Sequence, residues 1–315
     1  MPERTTTSRR RRRLLRGASA ILALAGIAAY AVVQYESGSR ARPHCEARGA
    51  DPEDGPHSLT PAQAANAATI AAVGNSRGLP ERAVTIALAT AMQESSLRNL
   101  DHGHLDSLGL FQQRPSMGWG DEQQVRDPVY AANAFYTKLL EIPAYEELEL
   151  TVAAQEVQRS AFPDEYAKHE GNATLLSGPL TGRAPAAFTC VTDNDPTPAD
   201  PELLRERLEE EFNGRASVEP RDGDGFELTV TLEPAGGEAD GSPGWELSHW
   251  LVAQAGTLGV AEVVHDGRRW LSARSDEGWR TAEGNAADSG ASGDSGDSGG
   301  NSLETVRISL IPSTE

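Results

Sequence analysis

Cysteine is scarce in this sequence, with only Cys45 and Cys190 among 315 residues. Neither has a second cysteine at the spacing of roughly two to four residues that metal-binding motifs use, which argues against a cysteine-based metal site. The two cysteines bracket one stretch of chain. In an oxidising compartment they predict a single disulfide that closes this stretch, and two free buried thiols are the alternative.

Positive charge is scarce beyond the N-terminus. The first sixteen residues carry seven arginines against one glutamate, a net charge of +6, so the total of −19 leaves −25 for the remainder. An acidic body of this size repels nucleic-acid phosphates, and no basic stripe follows the N-terminal one. We therefore expect no nucleic-acid partner.

Long apolar runs are rare, and the one that stands out is the uncharged stretch 17–35, which follows the arginine-rich residues 9–16. A basic flank before such a run predicts a cytoplasmic tail over 1–16, a transmembrane anchor over 17–35 and a body outside the cytoplasm. The expected location is the cell membrane. The alternative is a signal peptide cut after Ala31 and a secreted body. A transport function is not expected, because one membrane segment cannot form a transport path.

Composition divides the rest of the chain. Residues 36–57 are polar and rich in glycine and proline, which predicts a tether. Residues 58–190 show helical patterns, and we predict an all-α domain there. Residues 191–200 read as a linker, and residues 201–315 as a small α+β accessory domain. A Gly/Ser/Asp-rich stretch, 285–302, is predicted to be a disordered loop. The expected fold class is mainly α.

A buried helix ending in a carboxylate is the first candidate site. The stretch from Glu81 to about Leu97 is apolar on all sides and carries Glu94 near its end. Burial would raise the pKa of this carboxyl group, and a protonated carboxylic acid can donate to a glycosidic oxygen. The alternative is a helix-end glutamate that points to solvent.

Two short motifs then suggest a family. Glu94-Ser95-Ser96-Leu97, followed by Ser107-Leu108-Gly109-Leu110-Phe111-Gln112, resembles the lysozyme-like superfamily, in its soluble lytic transglycosylase and goose-type lysozyme branch. The resemblance spans about 58–178 and also matches a domain of secreted actinobacterial cell-wall proteins. It implies a lysozyme-like helical fold with Glu94 as the catalytic residue. The family's later Tyr-Asn-Ala-Gly-like turn is replaced here by residues 158–163, QRSAFP.

The resemblance also implies a sugar-binding wall. Its expected substrate-binding residues are Ser107, Gln112, Gln113 and Tyr166, and no cofactor is expected. The alternative for Tyr166 is a core tyrosine, and for Gln112 and Gln113 it is a polar strand edge. Trp119 is either a stacking surface for sugar or a packing anchor.

The choice of mechanism depends on a second carboxylate, for which Asp101 and Asp106 are the candidates. An inverting hydrolase needs one at roughly 6.5–9.5 Å from the acid. A lytic transglycosylase, by the resemblance, works with a single glutamate, which we favour.

Two other clusters invite functional interpretations. Residues 101–106, DHGHLD, hold two histidines and two aspartates, but we expect a solvated loop there and no metal. Four of the five tryptophans lie at Trp245, Trp250, Trp270 and Trp279; exposed, they would suit a carbohydrate-binding face, and buried, they are core. The segment 249–273 resembles an accessory domain of actinobacterial cell-wall hydrolases.

Together these observations predict an enzyme, a lytic transglycosylase or muramidase, that cleaves peptidoglycan glycan strands at the outer face of the membrane. The alternative is a catalytically silent cell-wall-binding or scaffold protein that keeps a lysozyme-like groove. The expected partners are the glycan strands and, through residues 17–35, the membrane.

Overall fold

The computed structural model describes residues 42–49, 55–160, 163–193, 197–221, 223, 225–239, 241–282 and 304–312. The described residues from Pro43 onwards belong to one compact unit. Its α-helices are α1 Pro61–Ser76, α2 Glu81–Ser95, α3 Glu122–Arg126, α4 Pro128–Leu140, α5 Leu150–Gln158, α6 Glu170–Leu180, α7 Pro201–Phe212, α8 Pro243–Ala253 and α9 Ala255–Leu258. Short 3₁₀ helices cover Pro115–Met117, Pro163–His169 and Ser272–Glu277.

The strands form two antiparallel sheets. They are β1 His44–Ala47, β2 His57–Leu59, β3 Phe188–Val191, β4 Ala216–Pro220, β5 Glu227–Leu232, β6 Val260–His265, β7 Arg268–Leu271, β8 Arg280–Thr281 and β9 Glu304–Leu310. The smaller sheet has the order β2-β1-β3, and the larger one has the order β4-β5-β9-β6-β7-β8.

Local sequence signals decide where several helices begin. Thr60 caps α1 with a capping box to Gln63, and Pro61 occupies the first turn, where its missing N–H costs nothing. Asp127 caps α4, with its side chain accepting from the Tyr130 N–H, and Pro128 occupies the first turn. In both cases the residues that start the helix are adjacent in the sequence to its first turn.

Helix α2 is the central element of the helical part. It contacts α1, α4, α5, α6 and the 3₁₀ helix Pro163–His169, and its residues from Ala83 to Met92 are all buried. A helix that is apolar on all sides needs such surroundings. This packing places Glu94, near the end of α2, beside the end of α5 and beside the 3₁₀ helix Pro163–His169.

The predicted disulfide is confirmed. Cys45 of β1 lies directly opposite Cys190 of β3 in the smaller sheet, and the two are bonded. The bond closes a loop of 145 residues, and such a cross-link stabilises chiefly by restricting the unfolded chain.

Helix α8 joins the larger sheet to the helical part. It contacts β5, β6 and β9 on one side and α1 and α6 on the other, and every residue from Gly244 to Ala253 is buried. The strands beneath it alternate: in β5 the buried positions are Leu228, Val230 and Leu232. Such alternation is expected of a sheet with one covered face.

The predicted fold class, mainly α with an all-α domain, is wrong. Of the described residues, 47% are helical and 19% belong to strands, arranged in two antiparallel sheets. Strands β2 and β3 lie inside the stretch 58–190 or at its edge, and β1 lies in the predicted tether 36–57. Strands of three or four residues are too short to show an alternating pattern, so only tertiary pairing reveals them.

The predicted location in the cell membrane, with a single transmembrane segment and an extracytoplasmic body, is also corrected. In the part of the chain that the structure describes, no helix is long and apolar enough to cross a bilayer. The longest of these, α1, has 16 residues, and spanning takes about 20. The stretches 1–16, 17–35 and 285–302 lie outside the described residues.

Candidate active site

A large cleft opens beside the end of α2. Its volume is about 1340 Å³. Its walls come from the end of α2, the irregular segment that follows, the end of α4 with the turn after it, and the end of α5. The lining side chains that bear on chemistry are Glu94, Ser107, Gln112, Arg114, Trp119, Lys138, Glu141, Glu156, Gln158 and Arg159.

Glu94 reaches the cleft because α2 stops immediately after it. Ser96 takes a left-handed conformation, with φ 55°, and Leu97 does so too, with φ 58°. The Leu97 N–H bonds the Ala91 carbonyl and the Ser96 N–H bonds that of Met92, a C-terminal capping arrangement that satisfies the last carbonyls of the helix. The Glu94 side chain is half-buried at this end.

Two side chains from distant parts of the chain hold the Glu94 carboxyl group. The Tyr166 hydroxyl donates to Glu94 Oε1 at 2.6 Å, and Gln158 also hydrogen-bonds this carboxyl group. Gln158 is itself fixed, because its Nε2 donates to the Phe111 carbonyl at 2.8 Å. Ser160 hydrogen-bonds the Tyr166 hydroxyl.

The electrostatics of Glu94 combine opposed effects. Burial raises the pKa of the Glu94 carboxyl group above its usual range, and hydrogen bonds from Tyr166 and Gln158 act in the lowering direction. The net direction is upward, so the acid form persists to higher pH than in a free glutamate. Burial and the neighbouring Glu94 raise the pKa of Tyr166, which therefore remains a hydrogen-bond donor.

The segment that carries the Gly-Leu-Phe-Gln motif is a tight turn anchored to α2. Leu108 and Gln113 exchange two backbone hydrogen bonds of 3.0 Å, and the Ser95 hydroxyl reaches the Leu110 carbonyl at 2.7 Å. Gly109 must be glycine, because its φ is +76° and an added Cβ would lie 2.1 Å from the Val125 carbonyl oxygen. Ser95 thus places this turn next to Glu94.

The predicted substrate-binding residues occupy different positions. Ser107 and Gln112 line the cleft. Gln113 is buried, and its Nε2 donates to the Ala131 carbonyl at 3.0 Å, so it ties the turn to α4. Tyr166 is buried behind Glu94 and contacts it directly. The structure therefore brings Ser107, Gln112 and Tyr166 to the Glu94 region and turns Gln113 inward.

The two candidate second carboxylates face elsewhere. Asp101 is exposed and pairs with His102 at 2.7 Å, a hydrogen bond that lowers the pKa of Asp101. Asp106 pairs with Arg114 at 2.7 Å and accepts from the Ser116 N–H, and these contacts hold the pKa of Asp106 well below its usual range. Neither aspartate is among the described residues that line the cleft.

The histidine- and aspartate-bearing loop 101–106 is largely exposed. Among the residues that the structure describes, no three histidine, cysteine or carboxylate side chains gather at metal-binding distance.

Several residues of the cleft were not predicted from the sequence. Gln158 and Arg159 end α5, and Glu141 and Glu156 contribute carboxylates to the lining. Their signal was weak, because they lie on polar helix ends that resemble any solvated surface. Trp119 lines the cleft with Lys138 over its ring, 4.7 Å from the centroid.

The C-terminal tryptophans are core residues rather than an exposed face. Trp245, Trp250 and Trp270 are buried, and Trp279 is half-buried against the core. The indole N–H groups of Trp270 and Trp279 donate to the Cys190 and Phe188 carbonyls of β3. These bonds join the larger sheet to the disulfide-bearing one.

Comparison with known proteins identifies one likeness. A family model described as VldE, C-terminal domain, matches residues 221–292, which include β5, α8 and β6 to β8. The match covers under a quarter of the 315-residue chain and leaves out every residue of the cleft. The curated proteins contain no match. Over 221–292 the chain is therefore similar to the VldE C-terminal domain, and this likeness does not extend to Glu94.

Proposed function

We propose that this protein cleaves the glycosidic bonds of peptidoglycan glycan strands as a lytic transglycosylase, with Glu94 as its acid and base. The observation that carries the proposal is the half-buried Glu94 carboxyl group, held by Tyr166 and Gln158 at a cleft of about 1340 Å³. A cleft this large exceeds the usual small-molecule pocket and suits several rings of a polymer. The resemblance of the Glu94-Ser95 and Gly-Leu-Phe-Gln motifs to the lysozyme-like superfamily supports the same substrate.

The proposed reaction uses one carboxyl group twice. Because the pKa of Glu94 is raised by burial, the protonated group can donate to the glycosidic oxygen as the bond from that oxygen to C1 breaks. The resulting carboxylate then accepts the proton of the C6 hydroxyl of the same sugar, whose oxygen bonds to C1. The products are a 1,6-anhydro sugar and a new free hydroxyl, and Glu94 ends protonated.

The positions of Asp101 and Asp106 favour this single-glutamate route. Asp101 is exposed and Asp106 is bound by Arg114, so neither serves as the base of an inverting hydrolase. Glu141 and Glu156 do line the cleft, and they are the groups that a hydrolytic mechanism would use to activate water. The chemical form of the product separates the two mechanisms.

The test is digestion of purified sacculi followed by mass spectrometry. We expect the parental protein to release muropeptides with 1,6-anhydro ends and Glu94→Gln to release them at least about 100-fold more slowly, the scale of general acid catalysis. Glu122→Gln, an exposed change on α3 outside the cleft, serves as the control. Parental-rate release by Glu94→Gln would reject the assignment, and reducing ends would indicate a hydrolase.

A second candidate is a catalytically silent wall-binding or scaffold protein. It is favoured by the sequence of residues 158–163, where Gln158 and Arg159 stand in place of the family's Tyr-Asn-Ala-Gly-like motif. Sedimentation with sacculi in the absence of any soluble product would support it. Anhydro products would exclude it.

A further inference from the structure

We propose that Arg159 binds a carboxylate carried by the glycan strand next to the bond at Glu94, and so selects acidic strands over neutral ones. The inference rests on the proposed function for the identity of the polymer. Arg159 would recognise a negative charge on the ligand, and it lies outside the two sequence motifs.

Arg159 lies beside the residues that hold Glu94. It directly follows Gln158, whose side chain bonds Glu94, and both residues line the cleft. Arg159 ends α5 in a left-handed conformation, with φ 50° and ψ 43°. Its backbone is fixed by the bond from its N–H to the Gln155 carbonyl at 2.7 Å. The guanidinium group thus extends from a point one residue away from the cluster around Glu94.

Among the residues that the structure describes, none engages the Arg159 guanidinium group, whereas the other two cations of the cleft are engaged. Arg114 also lines the cleft, but Asp106 holds it at 2.7 Å. Lys138 lies over the Trp119 ring. Arg159 is exposed, and its side chain has no partner among the residues that the structure describes, even though Glu156 lines the same cleft. In a protein with a net charge of −19, an unengaged cation in the cleft is available to a ligand.

Arg159 has a left-handed backbone, unlike Arg114 and Lys138 of the same cleft. A left-handed backbone favours glycine or asparagine, so a long side chain there is strained. Strained positions occur disproportionately at functional sites. A guanidinium group offers a planar pair of donors that matches a carboxylate. The glycan offers this group in two ways: as the lactyl carboxylate of peptide-free muramic acid, or as the carboxylates of a stem peptide.

The experiment measures binding without turnover. In the Glu94→Gln background, titration calorimetry is carried out with a neutral chito-oligosaccharide, a peptide-free muramic-acid-containing glycan and a peptide-bearing one. We expect Arg159→Gln to weaken binding of an acidic glycan about tenfold, the size of one hydrogen bond to a charged group, and to leave the neutral one unchanged. Arg159→Lys should lose less, and Arg126→Gln, an exposed arginine outside the cleft, should lose nothing.

The three glycans distinguish the two sources of the carboxylate. The outcomes also separate failure of this inference from failure of the proposed function. Selective loss on the peptide-free glycan identifies the lactyl carboxylate, and selective loss on the peptide-bearing glycan identifies the stem. Equal affinities with and without Arg159, an equal loss on all three glycans, or no binding to any glycan would overturn the inference. Arg159→Asn, which suits the left-handed backbone, repeats the test should Arg159→Gln melt early. If the protein with Glu94 intact cleaves nothing while the selective loss persists, the proposed catalysis fails and Arg159 stands.

Discussion

At the residue scale, the chemistry of Glu94 depends on donors that the chain brings from far away. Tyr166 is 72 residues away in sequence, and Gln158 arrives at the end of another helix. Burial favours the neutral acid, whereas these two donors favour the carboxylate. A group that must first give a proton and then accept one needs this kind of balance.

Removing one donor should disturb this balance in a defined direction. In Gln158→Leu the carboxylate form of Glu94 loses a hydrogen bond, so the pKa of Glu94 should rise further. The basic limb of the pH dependence of kcat/KM should then move to higher pH, and Tyr166→Phe should act in the same direction. The measurement is the rate of glycan cleavage from pH 4 to pH 9. Gln123→Ala, on the exposed side of α3, is the control, and an unmoved limb in both cleft variants would contradict this account.

Part of this site could be anticipated from the sequence. The position of Glu94 at the end of an apolar helix and the nearby Gly-Leu-Phe-Gln segment are local features, and a single stretch of chain displays them. The contacts of Gln158 with Glu94 and of Asp106 with Arg114 are different, because they depend on how loops and helix ends pack. Gln113 shows the same limit: its residue type suits sugar binding, but the turn points it into the core.

At the element scale, the turn of residues 108–113 is held by contacts that leave no room at Gly109. Its φ of +76° disfavours any side chain, and the Val125 carbonyl oxygen occupies the place of a Cβ. Gly118 provides a comparison, since its φ is +79° but nothing lies within 4 Å of the corresponding position. The two glycines share a backbone conformation and differ in their surroundings.

The pair of alanine variants should separate these two effects. Gly118→Ala should cost about 1 kcal/mol of unfolding free energy, from the left-handed backbone alone. Gly109→Ala should cost about 2–4 kcal/mol, because the Val125 carbonyl must also move, and it should shift Gln112 within the cleft. Urea unfolding of both variants measures the difference. Equal costs would show that the turn tolerates displacement.

At the scale of the whole molecule, the buried helix α8 links the two sheets and the helical part. Its His249 is fully buried among the rings of Phe188, Trp245 and Trp279. His249 Nδ1 lies 2.7 Å from the Pro179 carbonyl, and Nε2 has no partner among the described residues. The ring therefore fits as a neutral donor, and burial lowers the pKa of His249 from 6.5 to about 4.

This histidine should make the fold sensitive to acid. As the pH falls from 6.5 towards 4, the unfolded chain takes up a proton that the folded protein does not, so stability falls by up to about 3 kcal/mol. In His249→Asn, whose amide can still donate to Pro179, this dependence should disappear. The measurement is the difference in Tm between parent and variant across this range.

The difference in Tm between parent and variant is measured, because Glu246 changes stability with pH in the opposite direction to His249. Burial raises its pKa to about 7, so its contribution to stability falls as the pH rises from 4.5 to 7. Both proteins retain Glu246, and its effect cancels. A difference in Tm that stays constant with pH would show that His249 does not titrate on unfolding.

The order of the amino acids is enough for features that depend on neighbouring residues or on the small number of cysteines. Thr60-Pro61 and Asp127-Pro128 start helices through local capping, and two cysteines can form only one disulfide. Three features emerge only in the folded chain: short strands pair into two sheets, α8 is enclosed, and Gln158 and Tyr166 meet Glu94. The reason is physical: capping acts within one turn of helix, whereas strand pairing and burial depend on surfaces that meet only after the whole chain has collapsed.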